Sequence, residues 1–146
     1  MLLLVEILGY GTLLIVDGFN AETEALTNGV AIEACLREVA GLLESTQSDL
    51  LSLETGSGNS ATLRLSESHV SLHTFSDSSS LSLRVCSRHD LRPGEITDLL
   101  EKHFAVRRVE SYLSNHSRTM PSDTEARQRA LLGDRNYCAL RLAPVF

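Results

Sequence analysis

Residues 66–75 of the chain read SESHVSLHTF, and this stretch decides the fold prediction. Its apolar residues alternate with polar ones at a period of two, which is typical of a β-strand with one buried face. His69 and His73 then share the opposite face. Their Cα atoms would lie roughly 13 Å apart along a strand, which is too far for both side chains to bind one ion. We therefore expect no metal site here.

On both sides of this strand, further stretches alternate or cluster apolar residues between turn residues. They predict strands over residues 12–17, 50–55, 61–67, 81–87 and 106–113. Residues 29–44 repeat apolar residues at helical spacing behind an Asn28 or Thr27 cap, and residues 93–104 do so behind Pro93. This order predicts an α+β domain, a two-layer sandwich of an antiparallel-rich sheet with both helices packed on one face.

The C-terminal residues have a different pattern. Residues 115–123 are polar and predict a surface loop. Residues 122–125 have the capping-box pattern that opens a helix, and Gly133 is suited to end it. Residues 137–142 then predict a final strand. The segment 115–146 is a candidate to cover the sheet edge, extend a dimer contact or close a pocket.

Composition limits the class of protein. The 146 residues are 42% hydrophobic and 22% charged, as expected for a single globular domain over residues 1–146. The formal net charge of −6 argues against non-specific nucleic-acid binding. The apolar run at residues 1–5 is too short to span a bilayer, and no basic segment precedes it as in a signal peptide. Three widely spaced cysteines (Cys35, Cys86 and Cys138) disfavour a disulfide framework, so we expect a soluble, cytoplasmic protein.

Four short motifs follow one another over residues 12 to 113. They are LIVD at 14–17, GNS at 58–60, ESH-x-x-x-HTF-x-D at 67–77 and CSRH at 86–89. Together they resemble the signature of the short bacterial and archaeal S-adenosylmethionine decarboxylases, which are pyruvoyl-dependent enzymes. The last motif aligns after two residues are removed from the 78–80 turn, a change that keeps each strand residue on its face. The predicted order of elements is also similar to the family fold.

The resemblance implies a proenzyme that cleaves itself between Glu67 and Ser68. The Ser68 hydroxyl attacks the preceding carbonyl, and Ser68 ends as a pyruvoyl group, a cofactor made by the chain itself. Ser60 and His73 match the family's processing residues. The pyruvoyl ketone then holds the substrate amine as a Schiff base, and Cys86 matches the residue that returns a proton; its alternative role is that of a small buried hydrophobe. Family members pair as homodimers with sites at or near the interface.

The substrate is predicted from the same resemblance. Phe75 supplies one of the two aromatic rings that hold adenine in the family, and Asp77 replaces a glutamate that contacts the ribose. Residues 53–57 contain no second ring; they include Glu54, which could pair with a guanidinium or ammonium group. S-adenosylmethionine, in spermidine biosynthesis, is thus the expected substrate. Arginine or ornithine on the same scaffold is one alternative, and a non-catalytic paralogue acting as a partner subunit is another.

Overall fold

A computed structural model of the protein describes residues 10–43, 47–66, 68–87, 91–116 and 123–142. Six strands are formed: β1 (Tyr10–Phe19), β2 (Gln47–Thr55), β3 (Gly58–Leu65), β4 (His69–Phe75), β5 (Ser80–Ser87) and β6 (Arg108–His116). Four helices accompany them: α1 (Thr23–Leu26), α2 (Gly29–Leu42), α3 (Pro93–Phe104) and α4 (Thr124–Leu142). Among these helices, none is both long and apolar enough to cross a membrane.

The strands form one antiparallel sheet in the order β2-β3-β4-β5-β1-β6. Turns at residues 56–57 and 76–79 join β2 to β3 and β4 to β5, and β1 enters between β5 and β6. The predicted α+β class with an antiparallel-rich sheet is confirmed. Strand β4 lies inside the sheet, and all seven of its residues are buried.

Helices α2 and α3 pack on one face of the sheet, as predicted. The apolar stripe of α2 (Ile32, Leu36 and Val39) is buried in the same core as Leu63 and Leu83 of the sheet. The helix begins as its sequence predicts, because the Asn28 side chain accepts hydrogen bonds from the backbone N–H groups of residues 30 and 31 at 3.0 and 3.3 Å. This face, which we call the apolar face, holds the hydrophobic core.

The C-terminal helix begins where the capping-box pattern predicts it, and Asp123 Oδ2 accepts from the Ala126 N–H at 2.9 Å. The predicted helix end at Gly133 and the predicted final strand are wrong. Residues 124–142 form one 19-residue helix that continues through Gly133, and they contain no strand. Leu131, Arg135 and Cys138 recur at helical spacing and are buried against the sheet, and this packing outweighs the penalty of roughly 1 kcal/mol for a glycine inside a helix. Helix α4 lies on the face opposite to α2 and α3, so the structure adds a helix beyond the two predicted layers.

Candidate active site

The face of the sheet under α4 carries polar side chains that are almost all buried. We call it the polar face; it includes Asp17, Ser60, Thr62, His69, Ser71, His73, Ser82, Arg84 and Cys86. Removing polar groups from water costs free energy unless each finds a partner. The hydrogen-bond and ion-pair partners of these side chains therefore indicate which chemistry the polar face can support.

At one end of the polar face, Ser60 of β3 and His73 of β4 lie opposite each other. Ser60 Oγ and His73 Nδ1 are hydrogen-bonded at 2.8 Å. Arg135 of α4 donates from Nη1 to Ser60 Oγ at 3.0 Å and to the Asn59 carbonyl oxygen at 2.9 Å. Its Nη2 donates to Ser57 Oγ at 3.1 Å. Ser60, His73 and Arg135 are all buried, and we call them the His73 cluster.

The environment of His73 keeps its ring neutral. Burial, and then the positive charges of Arg135 and Arg84, lower the pKa of His73 from 6.5 to about 3. A neutral imidazole has one donor nitrogen and one acceptor nitrogen. His73 Nε2 is buried without a hydrogen-bond partner among the residues that the structure describes. One ring nitrogen is thus held by Ser60, and the other makes no hydrogen bond to the described residues.

The two predicted substrate-binding residues Phe75 and Asp77 lie beside this cluster. Phe75 is buried, and the guanidinium carbon of Arg135 lies 4.4 Å from its ring centroid, a cation–π arrangement. Burial lowers the pKa of Arg135, and the negative charge of Asp77, in the exposed β4–β5 turn, opposes that shift. The Phe75 ring is predicted to stack on adenine, and in this structure Arg135 covers a face of that ring.

The second group of predicted residues lies at the other end of β4. It consists of Ser68, which precedes the strand, His69, which begins it, and Cys86 of β5. Ser68 Oγ is shielded from solvent and has no hydrogen-bond partner within the described part of the chain. His69 lies opposite Cys86 of β5, and both are buried. Burial, and then Arg84 and Arg127, lower the pKa of His69 from 6.5 to about 4. Glu67, the predicted cleavage position, lies outside the described residues, as do Arg88 and His89 of the CSRH motif.

The structure therefore brings the predicted site residues together in two groups rather than one. Ser60 contacts His73, and Cys86 lies beside His69 next to Ser68. Ser68 is five residues from His73 along an extended strand, which corresponds to roughly 16 Å. Within one chain, the predicted nucleophile is out of reach of its two predicted processing residues.

Gly58 explains the glycine of the GNS motif. Its φ of +142° suits glycine alone, and a Cβ atom there would lie 2.0 Å from the Thr74 carbonyl oxygen. The close approach lets Thr74 Oγ1 accept from the Asn59 N–H at 3.0 Å and donate to the Leu26 carbonyl oxygen at 2.6 Å. The glycine thus fixes the turn from which Ser60 enters the polar face.

Sequence reasoning missed the arginines of α4. Arg141 forms a bidentate ion pair with Asp17 of the LIVD motif and donates to Ser82 Oγ at 3.1 Å. Arg127, which is buried, pairs with Asp49. The sequence carried a signal for this face: positions 127, 131, 135 and 138 follow helical spacing and combine two arginines with a leucine and a cysteine.

Glu54 lies away from the two groups on the polar face. It is exposed and lines a groove of about 670 Å³ between α2 and strands β2 and β3. This groove opens on the apolar face, together with Asn28 and Ile32 of the α2 region. Glu54 and Phe75 therefore do not share a pocket in this structure.

No group of three or more His, Cys, Asp or Glu residues within the described ranges could hold a metal ion. The described residues of the polar face carry hydroxyl, imidazole, thiol, carboxylate and guanidinium groups. Fold and site together define an antiparallel α+β domain with a buried polar face.

Comparison with known proteins identifies the family. Residues 12–117 match the family model of S-adenosylmethionine decarboxylase, and the chain belongs to that family. The crystal structure of the adenosylmethionine decarboxylase from Aquifex aeolicus VF5 is similar in fold, with a TM-score of 0.63 at 12% identity, over 79% of this chain and 96% of that one. A search of curated proteins found no match. Helix α4 lies beyond the residues that match the family model.

Proposed function

We propose that this chain is a self-processing, pyruvoyl-dependent decarboxylase that acts on S-adenosylmethionine in cytoplasmic spermidine biosynthesis. One observation carries the proposal: Ser68 Oγ, at the cleavage position of the motif, is buried without a hydrogen-bond partner in the described residues. A buried hydroxyl that no structural contact uses is a candidate nucleophile. It lies one residue from His69, whose ring is neutral because burial holds its pKa near 4.

Self-cleavage follows from the residue types. Ser68 Oγ bonds to the carbonyl carbon of Glu67, the peptide C–N bond breaks, and the nitrogen takes the proton. Loss of the Ser68 α-proton then expels the ester carboxylate, and water converts the remaining enamine into a ketone with release of ammonia. The negative oxygen of the first step needs hydrogen-bond donors, and the α-proton needs a base.

The buried, unpartnered Ser68 hydroxyl fits the precursor of a pyruvoyl group. When formed, that group supplies an electron sink for the loss of carbon dioxide from an amine-bearing substrate. Cys86 pairs in register with His69, and we propose it as the group that returns a proton beside position 68. Phe75 and Asp77 are the proposed contacts of the adenosyl group, and Arg135 must leave the Phe75 ring before another ring can stack there.

The separation of the two groups supports a homodimer as the active form. Because Ser68 lies roughly 16 Å from His73 of its own chain, a second copy would have to supply Ser60 and His73 to it. A second copy that reaches Ser68 meets the end of α4 where Arg127 lies near His69. This arrangement therefore requires that end of α4 to move, while Arg135 stays on the His73 cluster.

A second candidate function is a non-catalytic partner subunit. The observation that favours it is the position of α4, which covers the polar face and places Arg135 on Phe75. In that case Ser68 stays intact. The arginine or ornithine alternative has weaker support, because Glu54 lies on the other face of the sheet.

The deciding experiment is the intact mass of the purified full chain under denaturing conditions. We expect two fragments, residues 1–67 and a chain from position 68 with a blocked N-terminus. Ser68→Ala should remain whole, and the matched variant Ser66→Ala should be cut like the wild type. A wild-type chain that stays at 16.0 kDa on long incubation contradicts the proposal and supports the partner subunit.

If the chain is cut, release of carbon dioxide from S-adenosylmethionine, arginine and ornithine decides the substrate. We expect release from S-adenosylmethionine alone. Release from arginine or ornithine, with none from S-adenosylmethionine, would reject the proposed substrate and keep the proposed chemistry.

A further inference from the structure

Helix α4 lies outside the residues that match the family model, yet its Arg135 contacts three residues of the family motifs. We propose that Arg135 is a positioning residue of the candidate site: it sets the direction of the hydrogen bond between Ser60 and His73, so that His73 carries its proton on Nε2. The inference rests on the proposed function, in which Ser60 and His73 take part in self-cleavage.

The direction of the bond follows from the donors available. A guanidinium group has five N–H donors and no acceptor, so Ser60 Oγ accepts from Arg135 Nη1 at 3.0 Å. The hydroxyl proton of Ser60 then needs an acceptor, and His73 Nδ1 lies at 2.8 Å. In this arrangement Ser60 donates to His73 Nδ1, and the proton of the neutral ring is on Nε2.

The opposite direction leaves more buried groups without partners. If His73 Nδ1 donated to Ser60, the Ser60 hydroxyl proton would have no acceptor among the described residues, and Nε2 would be an unpaired acceptor as well. The proposed direction leaves one unpaired group, the Nε2–H donor. Since each unpaired buried polar group is destabilising, the proposed direction is preferred.

Arg135 is held firmly enough to impose this choice. Four contacts fix its guanidinium group: Ser60, Asn59, Ser57 and the ring of Phe75. Its positive charge also polarises the Ser60 hydroxyl, which strengthens that hydroxyl as a donor. Without Arg135, the hydroxyl could accept from or donate to His73 with similar ease, and the tautomer would no longer be set.

The consequence for the chemistry concerns His73 Nε2. This buried N–H has no partner in the described structure and can donate to an oxygen that gains negative charge when a carbonyl is attacked. The ring nitrogen that Ser60 does not hold is thus a proton donor. Arg135, contributed by a helix outside the family match, acts on the reaction through Ser60 and His73.

The test is the tautomer of His73, read from the ¹⁵N shifts of the two ring nitrogens in long-range ¹H–¹⁵N correlation spectra of the full chain. The Ser68→Ala background keeps every sample uncut, and His73→Gln assigns the signals. We expect the Nε2–H form to dominate, and Arg135→Met to shift the ratio of the two forms by about fivefold toward Nδ1–H, the value of one ordinary hydrogen bond.

Arg129→Met is the matched control, because Arg129 is on the same helix but is exposed. It should leave the His73 signals unchanged. An unchanged ratio in a folded Arg135→Met variant would overturn the inference. If that variant does not fold, the unsubstituted arginine still decides the matter: a dominant Nδ1–H form in its presence contradicts the proposed direction.

Self-cleavage supplies the second readout, in chains that keep Ser68. We expect Arg135→Met to slow cleavage by about tenfold or more, and Arg135→Lys, which retains a charged donor, to restore part of the rate. A wild-type chain that is never cut would contradict the proposed function. The tautomer spectra would then still test whether Arg135 sets the position of the His73 proton. If Arg135→Met is cleaved at the normal rate and has wild-type His73 signals, the inference about Arg135 is wrong and the proposed function still stands.

Discussion

On one face of the sheet, Leu63, Leu72 and Leu83 are fully buried under α2 and α3, whereas on the other Asp17, Ser60 and His73 are buried to the same degree under α4. The apolar face gains its stability from the transfer of apolar area out of water, which has no direction. The polar face must pair each hydroxyl, imidazole and charge with a specific partner. Equal burial is thus reached by two different kinds of interaction.

The difference teaches where function is to be sought. A buried ion pair adds little net stability compared with well-packed apolar residues of the same volume, although removal of one partner is strongly destabilising. The arginines of α4 are therefore weak evidence for added stability and stronger evidence for a fixed geometry. The polar face is the one that bears the motifs of the family.

The largest expected effect is on the apolar face. Leu83→Ala should lower the free energy of unfolding by about 4 kcal/mol, because it removes buried methyl groups and leaves a cavity in the core. Urea unfolding in the Ser68→Ala background measures this without interference from self-cleavage.

Leu140→Ala is the matched control, since Leu140 on the outer side of α4 is 79% exposed. Its effect should be within about 0.5 kcal/mol. If both leucine variants lost similar stability, the contrast between core and covering helix would not hold.

The next effect is on the polar face. Asp17→Asn should lower the free energy of unfolding by about 3 kcal/mol, because it leaves the guanidinium of Arg141 without its carboxylate. A guanidinium group stays protonated in proteins, so Arg141 will not lose its proton to escape the cost.

A double-mutant cycle sharpens this prediction. Adding Arg141→Met to Asp17→Asn should recover part of the loss, because the unpaired charge is then gone. The exposed pair of Glu33 and Arg37 provides the control, and Glu33→Gln should cost less than about 1 kcal/mol. Simple additivity at Asp17 and Arg141 would contradict the assignment of a buried pair.

The smallest expected effect of a single residue is on the pH dependence of the free energy of unfolding, and it comes from the two histidines of the polar face. The pKa values of His69 and His73 fall from 6.5 to about 4 and about 3 on folding. The unfolded chain therefore binds more protons below pH 6.5, and stability is complete above that pH and is lost as the pH falls toward the folded pKa values. Each histidine should remove about 2 kcal/mol between pH 7 and pH 5.

Urea titrations at the two pH values, again with Ser68→Ala, test this difference. His73→Gln should reduce the loss between pH 7 and pH 5 by about 2 kcal/mol, and His69→Gln should do the same. A His73→Gln variant with the full wild-type pH dependence would show that His73 is protonated as readily in the folded state as in the unfolded chain.

The boundaries of the central elements could be predicted because their signals are local. Alternation in residues 69–75 and the apolar stripe behind Asn28 both depend on residues within a few positions of one another. The full length of the C-terminal helix could not be predicted in the same way. Gly133 is a local stop signal, and only the contacts of Leu131, Arg135 and Cys138 with the sheet outweigh it.

The sequence by itself determined the antiparallel α+β class and the faces of the strands, since period and spacing are properties of the chain alone. Ser60, Ser68 and His73 were singled out by the resemblance of their motifs to a family signature. The tertiary structure decided that Ser60 joins His73 while Ser68 lies apart, and that Arg135 completes the first group. The contact between Arg135 and Ser60 links residues 75 positions apart, the one between Ser60 and His73 joins two neighbouring strands, and the separation of Ser68 is set by the extended length of β4. No local pattern encodes such distances, because they arise only when the sheet and α4 pack together.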